Sequence, residues 1–161
     1  MTFLERTTDA RRLRHWDVDM SVDYIYTSGI AGERFFRALR DEGRILGVRC
    51  PACKVSYLPP RMFCEGCFAE LTEYFDVNPE GKVVSFTVAH VDRRSHPLPQ
   101  PDVYAFVRFR GIDEGGLIHR LLVPTDQAKI GMAVRVRLRP KEQRTGTILD
   151  IEGFEPSASQ L

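Results

Sequence analysis

The sequence has no long apolar run and little histidine or tryptophan: four His and one Trp among 161 residues. A membrane-spanning helix needs about 20 consecutive apolar residues, so none is predicted. The first 14 residues are charged and lack the apolar stretch of a secretory signal. We therefore expect a cytoplasmic protein whose thiols stay reduced. The net charge is only +1, which gives no overall attraction for polyanions.

Cysteine is also scarce, and its four copies fall within one short segment spaced C-x2-C-x10-C-x2-C. Each C-x-x-C brings two thiolates to one tight turn, and two facing turns supply the four soft ligands of a tetrahedral Zn2+. The pattern predicts a structural zinc site, with disulfides, a rubredoxin-type iron site and unligated thiols as alternatives. Four thiolates leave no ligand position for water, so we expect the metal to hold the fold and to perform no chemistry. The predicted ligands are Cys50, Cys53, Cys64 and Cys67.

Residues 1–30 are polar, with scattered aromatic side chains and no sustained period of 3.6 residues. Such a segment cannot form a core alone, so we expect an N-terminal arm. It packs either over its own protein or against a partner subunit, because aromatic side chains bring large contact area at low entropy cost. The candidate partner-binding residues, including two from the following helix, are Trp16, Tyr24, Tyr26, Phe35 and Phe36.

Residues 31–76 are expected to contain that helix and the metal ribbon. The helix is predicted over residues 33–42, where apolar side chains share one side and Gly43 can end it. Two adjacent prolines, Pro59 and Pro60, disfavour both an α-helix and the backbone hydrogen bonds of a β-sheet. They therefore predict a turn between the cysteine pairs. We expect strands at residues 45–48 and 55–58.

Residues 77–155 are predicted to be all-β, followed by a tail at 156–161. Five segments rich in Val, Ile, Phe and Leu are separated by Gly, Pro or Asp clusters. They are residues 83–91, 103–110, 117–123, 134–139 and 147–154. One helical turn is predicted at 125–130, and five strands with a short helix between the third and fourth is the OB-fold order. The predicted fold is therefore mainly β: an N-terminal helical arm, a rubredoxin-like zinc ribbon and a C-terminal five-stranded OB-fold barrel.

The order of these features resembles a known family. The stretch GERFFRALRDEGRILGVRCPACKVSYLPPRMFCEGCF, followed by EGKVVSFTV, VYAFVRF and KIGMAVRVRL, is similar to the zinc-ribbon/OB-fold acyl-CoA-associated proteins catalogued as domain of unknown function 35. The resemblance spans about residues 31–155. It implies a small partner of a thiolase-superfamily enzyme, and YIYTSGIAGERFF looks most like the branch serving benzoylsuccinyl-CoA thiolase. Lys54 is the one departure, since such ribbons often have glycine there.

Basic residues are concentrated in residues 82–150, with twelve basic against seven acidic side chains. The alternation of apolar residues with arginine in the predicted fourth strand turns an arginine stripe outward. Coenzyme A carries a 3′-phosphate and a pyrophosphate, which arginine recognises in fork geometry. A solvated barrel face and a partner-docking surface are the alternatives. The candidate CoA or partner contacts are Arg108, Arg110, Arg135, Arg137 and Arg139.

A catalytic role would need a nucleophile and a base. The densest candidate group, His90, Asp92, Ser95 and His96, precedes three prolines and is expected to be solvated loop. We therefore expect a non-catalytic accessory subunit, with catalysis in the partner. It would support acyl-CoA binding or transfer in acyl-CoA metabolism, with acyl-CoA at the shared interface.

The alternative function is a single-stranded nucleic-acid-binding module, because zinc ribbons and OB-folds both occur in such proteins. That function needs a strongly basic groove with exposed aromatic rings. The isoelectric point is about 7.7, and Phe86, Phe106 and Phe109 lie among apolar neighbours that suggest core. We therefore prefer the accessory subunit.

Overall fold

The computed structural model describes residue 9, residue 11, residues 26–92 and residues 94–157. Its helix α1, Gly29–Arg37, continues into one wider π-type turn, Ala38–Glu42. Gly43 then takes a left-handed φ of 69°, which ends the helix as predicted. The strands are β1 (Leu46–Arg49), β2 (Ser56–Leu58), β3 (Glu73–Asp76), β4 (Glu80–Val91), β5 (Pro97–Phe109), β6 (Glu114–Gly115), β7 (Leu117–Arg120), β8 (Ala133–Leu138) and β9 (Ile151–Pro156).

These strands form two sheets. The ribbon sheet has the order β3-β1-β2-β6, and the second sheet has the order β7-β5-β4-β8-β9. A parallel bridge from Leu121 to Phe154 brings the two edges of the second sheet together. One 3-10 turn, Thr125–Gln127, lies between its third and fourth strands. The predicted fold class, a ribbon followed by a five-stranded barrel of OB order, is confirmed.

The last predicted strand begins later than expected. Thr147 caps a 3-10 turn, Ile148–Asp150, and the strand starts only at Ile151. The cause is the buried carboxylate of Asp150, which accepts backbone N–H bonds from Thr145 and Gly146 at 2.8 and 2.7 Å. Burial alone would raise the pKa of Asp150, but these bonds outweigh it and hold the pKa below its ordinary value.

The proline-rich segment that we expected to be loop is the beginning of β5. Strands β4 and β5 form one long hairpin whose turn lies between Val91 and Pro97, which pair directly. Strand β7 pairs with β5 only from Tyr104 to Val107. The first part of β5 has no strand beside it on the β7 side. Three prolines can therefore lie there, because no hydrogen bond to β7 requires the backbone N–H that proline lacks.

The main core runs continuously from the helix through the base of the ribbon into the barrel. Phe35, Leu39 and Leu58 pack in one cluster with barrel side chains such as Val107 and Phe154. Each such side chain contributes about 1.5–3 kcal/mol when fully buried. A second, much smaller cluster lies beneath the cysteines. It contains Val48, Cys50, Tyr57, Cys64 and Leu71.

A polar clamp joins the ribbon to the barrel. The backbone N–H and hydroxyl of buried Ser56 both donate to Asp113 Oδ2, at 2.8 and 2.6 Å, and the Asp113 N–H donates back to Ser56 Oγ at 3.1 Å. Strand β6 continues from Asp113 and pairs in parallel with β2. Gly115 and Gly116 permit this approach, because a Cβ there would lie 2.1 Å from the Leu58 oxygen or 2.3 Å from the Val107 oxygen.

Replacing Asp113 with Asn should destabilise the protein by about 1–3 kcal/mol, because the buried donors of Ser56 lose their shared carboxylate. The Ser56 donors also lower the pKa of Asp113. A lowered folded pKa gives stability that is present above the unfolded value, about 3.9, and is lost as the pH falls through the folded value. The difference between wild type and Asp113→Asn in urea unfolding should therefore shrink below about pH 4.

Asp126→Asn is the matched control. Asp126 is an exposed aspartate in the 3-10 turn, and its replacement should change stability by less than about 0.5 kcal/mol. Equal unfolding midpoints for Asp113→Asn and wild type at pH 7 would contradict the clamp.

Candidate functional site

Two equivalent turns carry the four cysteines. In the first, the Cys50 N–H donates to the Val55 carbonyl at 2.8 Å and the Lys54 N–H donates to the Cys50 carbonyl at 3.0 Å. In the second, the Cys64 N–H donates to Ala69 at 2.9 Å and Phe68 donates to Cys64 at 3.0 Å. The repeated C-x-x-C spacing therefore produces two copies of one backbone turn.

The four sulfur atoms converge on one point. All lie within 4.8 Å of one another, with Cys50–Cys67 at 3.5 Å, Cys53–Cys64 at 3.4 Å and Cys53–Cys67 at 3.9 Å. Four sulfurs each about 2.3 Å from a tetrahedral ion lie about 3.8 Å apart, so the donor set fits a metal of that size. Among the described residues, these cysteines are the one group of three or more ligating side chains so placed.

The residue after each cysteine pair takes a left-handed conformation. Lys54 has a φ of 64° and Phe68 a φ of 59°, where glycine is ordinarily favoured. Lys54, the departure noted in the sequence, therefore leaves the turn geometry unchanged. Both knuckles carry a side chain at a position where it is strained.

Tyr57 supports the cluster from below. It is buried, and its hydroxyl lies 3.3 Å from Cys64 Sγ. The hydrogen bond to Cys64, followed by burial, raises the pKa of Tyr57 to about 12. The same bond, with backbone N–H groups of the second knuckle, lowers the pKa of Cys64 to about 6. At this distance the Tyr57 hydroxyl can donate to a Cys64 thiolate and orient it.

The thiols cannot all ionise without a cation. The Cys53 N–H helps to lower the pKa of Cys50. In contrast, the neighbouring sulfurs of Cys50 and Cys64 outweigh the Val55 N–H and raise the pKa of Cys53 to about 12. A bound divalent ion removes this repulsion, because a coordinating thiol is deprotonated outright. The site can hold a metal, but four protein ligands leave it no open position for chemistry.

The structure separates the predicted partner-binding residues. Trp16 and Tyr24 lie outside the described residues. Tyr26 is 81% exposed, and Phe36 is partly buried against the core. Phe35 corrects the prediction: it is only 2% exposed and belongs to the protein's own core, so it is not available to a partner.

The predicted arginines fall into two groups. Arg108 and Arg110 line an open groove of about 480 Å3, together with Lys82 and the apolar side chains Val84 and Phe109. Lys82 lies directly opposite Arg108 in the β4–β5 ladder. Neither arginine has an ion-pair partner among the described residues. Arg108 and Arg110 therefore bring two positive charges to the groove that no ion pair among the described residues neutralises.

The arginines of β8 point outward as predicted, but acidic residues of β9 accompany them. Arg137 pairs with Glu152 at 2.7 Å and with Glu155 at 3.7 Å. Arg135 lies opposite Glu155 in the ladder, and Arg139 is exposed at the end of β8. This stripe is partly neutralised by the chain itself.

The histidine-rich group lies at the turn of the β4–β5 hairpin and is not assembled for catalysis. The Asp92 carboxylate accepts the backbone N–H groups of Arg94 and His96, at 2.7 and 2.9 Å. These bonds lower the pKa of Asp92, with the bond from His96 the largest cause. Within the described residues, no hydrogen bond joins the Ser95 hydroxyl to His90 or His96. Asp92 closes the turn, and its Oδ2 also lies 3.3 Å from His96 Nδ1, but no nucleophile among the described residues is hydrogen-bonded to that histidine.

Sequence reasoning missed several exposed apolar side chains. Phe109 is buried as expected, but Phe86 and Phe106 are only partly buried and Tyr104 is 38% exposed. Strict alternation along β5 places Tyr104 and Phe106 on the outer face with Arg108, a signal present in the sequence. Exposed residues of the second knuckle were also missed. They are Met62, Phe63 and Phe68.

Replacing Tyr57 with Phe should lower metal affinity about tenfold, because Cys64 loses the donor that orients it. Elemental analysis should give one metal ion per chain, and competition with a chromophoric chelator should measure the loss. Tyr74→Phe is the control: Tyr74 packs against the same small cluster, under the Arg34 guanidinium, and donates to no cysteine. Equal affinities for the Tyr57 and Tyr74 variants would refute the role of the hydroxyl.

No helix in the described part of the chain is long and apolar enough to cross a membrane.

The comparisons with known proteins agree with the fold. Residues 37–73 match the family model described as "ChsH2, rubredoxin-like zinc ribbon domain", and residues 74–139 match "ChsH2, C-terminal OB-fold domain". A Methanocaldococcus jannaschii protein described as a "DUF35 domain-containing scaffold protein" is 29% identical over 110 residues, which cover 66% of this chain and 75% of that one.

Two solved structures are similar. A DUF35-family protein of unknown function from Sulfolobus solfataricus is 28% identical, with a TM-score of 0.64 over 80% of this chain and 87% of the other. A chain of the structure described as "Ltp2-ChsH2(DUF35) aldolase" is 26% identical, with a TM-score of 0.57 over 76% and 91%. The two adjoining family matches, the four-cysteine ribbon and the barrel order together make this chain a member of the DUF35 family of zinc-ribbon and OB-fold proteins.

Proposed function

We propose that this protein is a non-catalytic accessory subunit that binds a thiolase-superfamily enzyme and supports its acyl-CoA binding or transfer. One observation carries the proposal: the chain is similar to a scaffold protein and to a chain of an aldolase complex, while its described residues assemble no nucleophile with a base. The benzoylsuccinyl-CoA thiolase branch is the finer form of the proposal, supported by the sequence around Tyr26 alone. In this proposal catalysis belongs to the partner. The proposed location is the cytoplasm, because a reducing compartment keeps the four thiols free to bind metal.

The proposed metal is Zn2+ in a structural role. Four thiolates in tetrahedral arrangement suit zinc or iron, and zinc adds no redox chemistry to a site that closes its own coordination shell. Cys50, Cys53, Cys64 and Cys67 would hold it. The elemental analysis named above distinguishes the two ions, since one iron per chain would keep the site and change its occupant.

The proposed contact with acyl-CoA is the groove of Lys82, Arg108 and Arg110. Two arginines without ion-pair partners and a lysine face one open space beside apolar side chains. Arginine forks match the oxygen geometry of phosphate, and the CoA portion of a thioester carries several phosphate groups. Arg137 is a weaker candidate because it already has two acidic partners.

The exposed end of the N-terminal segment is a further proposed partner contact. Tyr26 and Ile30 are 81% and 58% exposed, and they lie at the start of α1. Aromatic and aliphatic side chains of this kind supply much of the energy of protein interfaces. Phe36 adds a partly buried ring on the same helix.

The alternative, single-stranded nucleic-acid binding, has one structural observation in its favour. Tyr104 and Phe106 share the outer face of β5 with Arg108, and this is a face that OB-folds use for oligonucleotides. A salt-sensitive shift of a single-stranded oligonucleotide at physiological salt would favour that function over the accessory subunit.

Affinity capture from native extract, followed by reconstitution with the purified partner, tests the proposal. The captured enzyme should belong to the thiolase superfamily and should lose activity or solubility without this chain. The chain alone should turn over no acyl-CoA. Thiolysis or carbon–carbon cleavage by the purified chain alone would refute the non-catalytic role.

In the reconstituted complex, Arg108→Gln combined with Arg110→Gln should raise the KM for acyl-CoA about tenfold or more and leave kcat nearly unchanged. The reason is the loss of two charge-assisted contacts, each worth about 1.5–3 kcal/mol at best. Arg137→Gln is the control, because its exposed ion pairs contribute about 0–1 kcal/mol. Equal KM values for the double variant and the control would exclude the groove as the CoA contact.

A further inference from the structure

The second knuckle displays apolar side chains to solvent. Its hairpin is held by the Cys64 N–H bond to Ala69 and by the Leu71 N–H bond to Met62, at 2.9 and 2.8 Å. Three large apolar side chains on this hairpin are exposed by 41, 55 and 79%. We call them the ribbon tip. They are Met62, Phe63 and Phe68.

Phe68 is unfavourable at its position for two independent reasons. Its φ of 59° lies in the left-handed region, where the Cβ of any residue other than glycine is strained. Its ring is 79% exposed, so packing within the described chain does not repay that cost. The equivalent position in the first knuckle, Lys54, carries a side chain that water solvates well. A strained, bulky residue that gains nothing from its own fold indicates a role in binding.

The charged side chains around the ribbon tip indicate the sign of the charge on the surface that it contacts. Residues 50–73 contain two basic and three acidic side chains, and four thiolates around a divalent ion add two negative charges. Arg61 and Glu65 form an ion pair and cancel each other, which leaves Lys54 against Glu70 and Glu73. The apolar ribbon tip is therefore set in a negative field.

We propose that the ribbon tip inserts into an apolar recess with a basic rim on the enzyme partner, with Phe68 as its anchor. The inference rests on the proposed function for the identity of the partner. A second copy of this chain is disfavoured at both of its surfaces: two negative tips would repel each other, and its basic groove is the proposed contact for acyl-CoA. The chain's own residues 1–25 are also disfavoured: they carry four basic and five acidic side chains, which gives them the same sign of charge.

The test uses the full chain and the purified enzyme captured by it, with Phe68→Lys, Phe68→Gly and the control Lys54→Gly. Phe68→Lys copies the first knuckle into the second, and both glycine variants relieve the same backbone strain. Both Phe68 variants should lose at least about 30-fold in affinity for the enzyme by titration calorimetry. Lys54→Gly should bind like wild type. All three should keep one metal ion per chain and melt at or up to about 4 °C above wild type.

Each other outcome overturns the inference in a distinguishable way. If Phe68→Lys binds the enzyme within twofold of wild type, the ribbon tip is not in the interface, and the proposed function stands. Melting several degrees lower with full metal content would show that Phe68 packs within its own chain. Loss of a wild-type dimer in sedimentation would identify a second copy as the occupant. If wild type itself binds no enzyme, the proposed function and this inference both fail.

Discussion

The convergence of four cysteine sulfurs on one point is the constraint on which the rest of the structure depends. The buried cluster around them has only five residues, two of which are cysteines themselves, and it is too small to define two tight turns alone. Strand β2 leaves the first turn and carries Ser56, whose donors reach Asp113, so the geometry of the sulfurs continues through one short strand into the barrel. The clamp then fixes β6, and the two glycines after it let β6 lie against the β2 and β5 backbones.

Charge divides the surface of this small protein. The barrel groove holds two arginines without ion-pair partners among the described residues, whereas Arg137 of β8 is paired with two glutamates of β9. The ribbon has the opposite sign, because its acidic residues outnumber its basic residues. Opposite fields on separate faces suit a subunit that contacts an anionic ligand at one place and a protein at another. The hydrogen bonds between Ser56 and Asp113 link the ribbon to the barrel.

Sequence reasoning was most reliable where chemistry allowed few alternatives. The cysteine spacing gave the site, and the alternation of Val134 and Val136 with Arg135 and Arg137 gave the faces of β8. It failed where long-range contacts decide. The carboxylate of Asp150 turns the predicted strand start into a 3-10 turn, and the lack of a second strand neighbour lets prolines begin β5. The amphipathic pattern correctly placed Phe35 on the apolar side of the helix. The pattern alone could not show whether that side packs against the barrel of the same chain or against a partner.

A metal without an open coordination position still has a physical use in an accessory subunit. Binding costs conformational entropy, and a side chain displayed on a flexible loop incurs more of this cost than one on a rigid hairpin. The second knuckle is short, yet two sulfur ligands and two backbone hydrogen bonds fix it around Phe68. Metal-closed turns therefore let a chain with a small ribbon core present an aromatic anchor in a defined orientation. With the proposed ion bound, the energy of coordination would offset the strain at Lys54 and Phe68, and the metal would support partner binding through geometry and not through reaction.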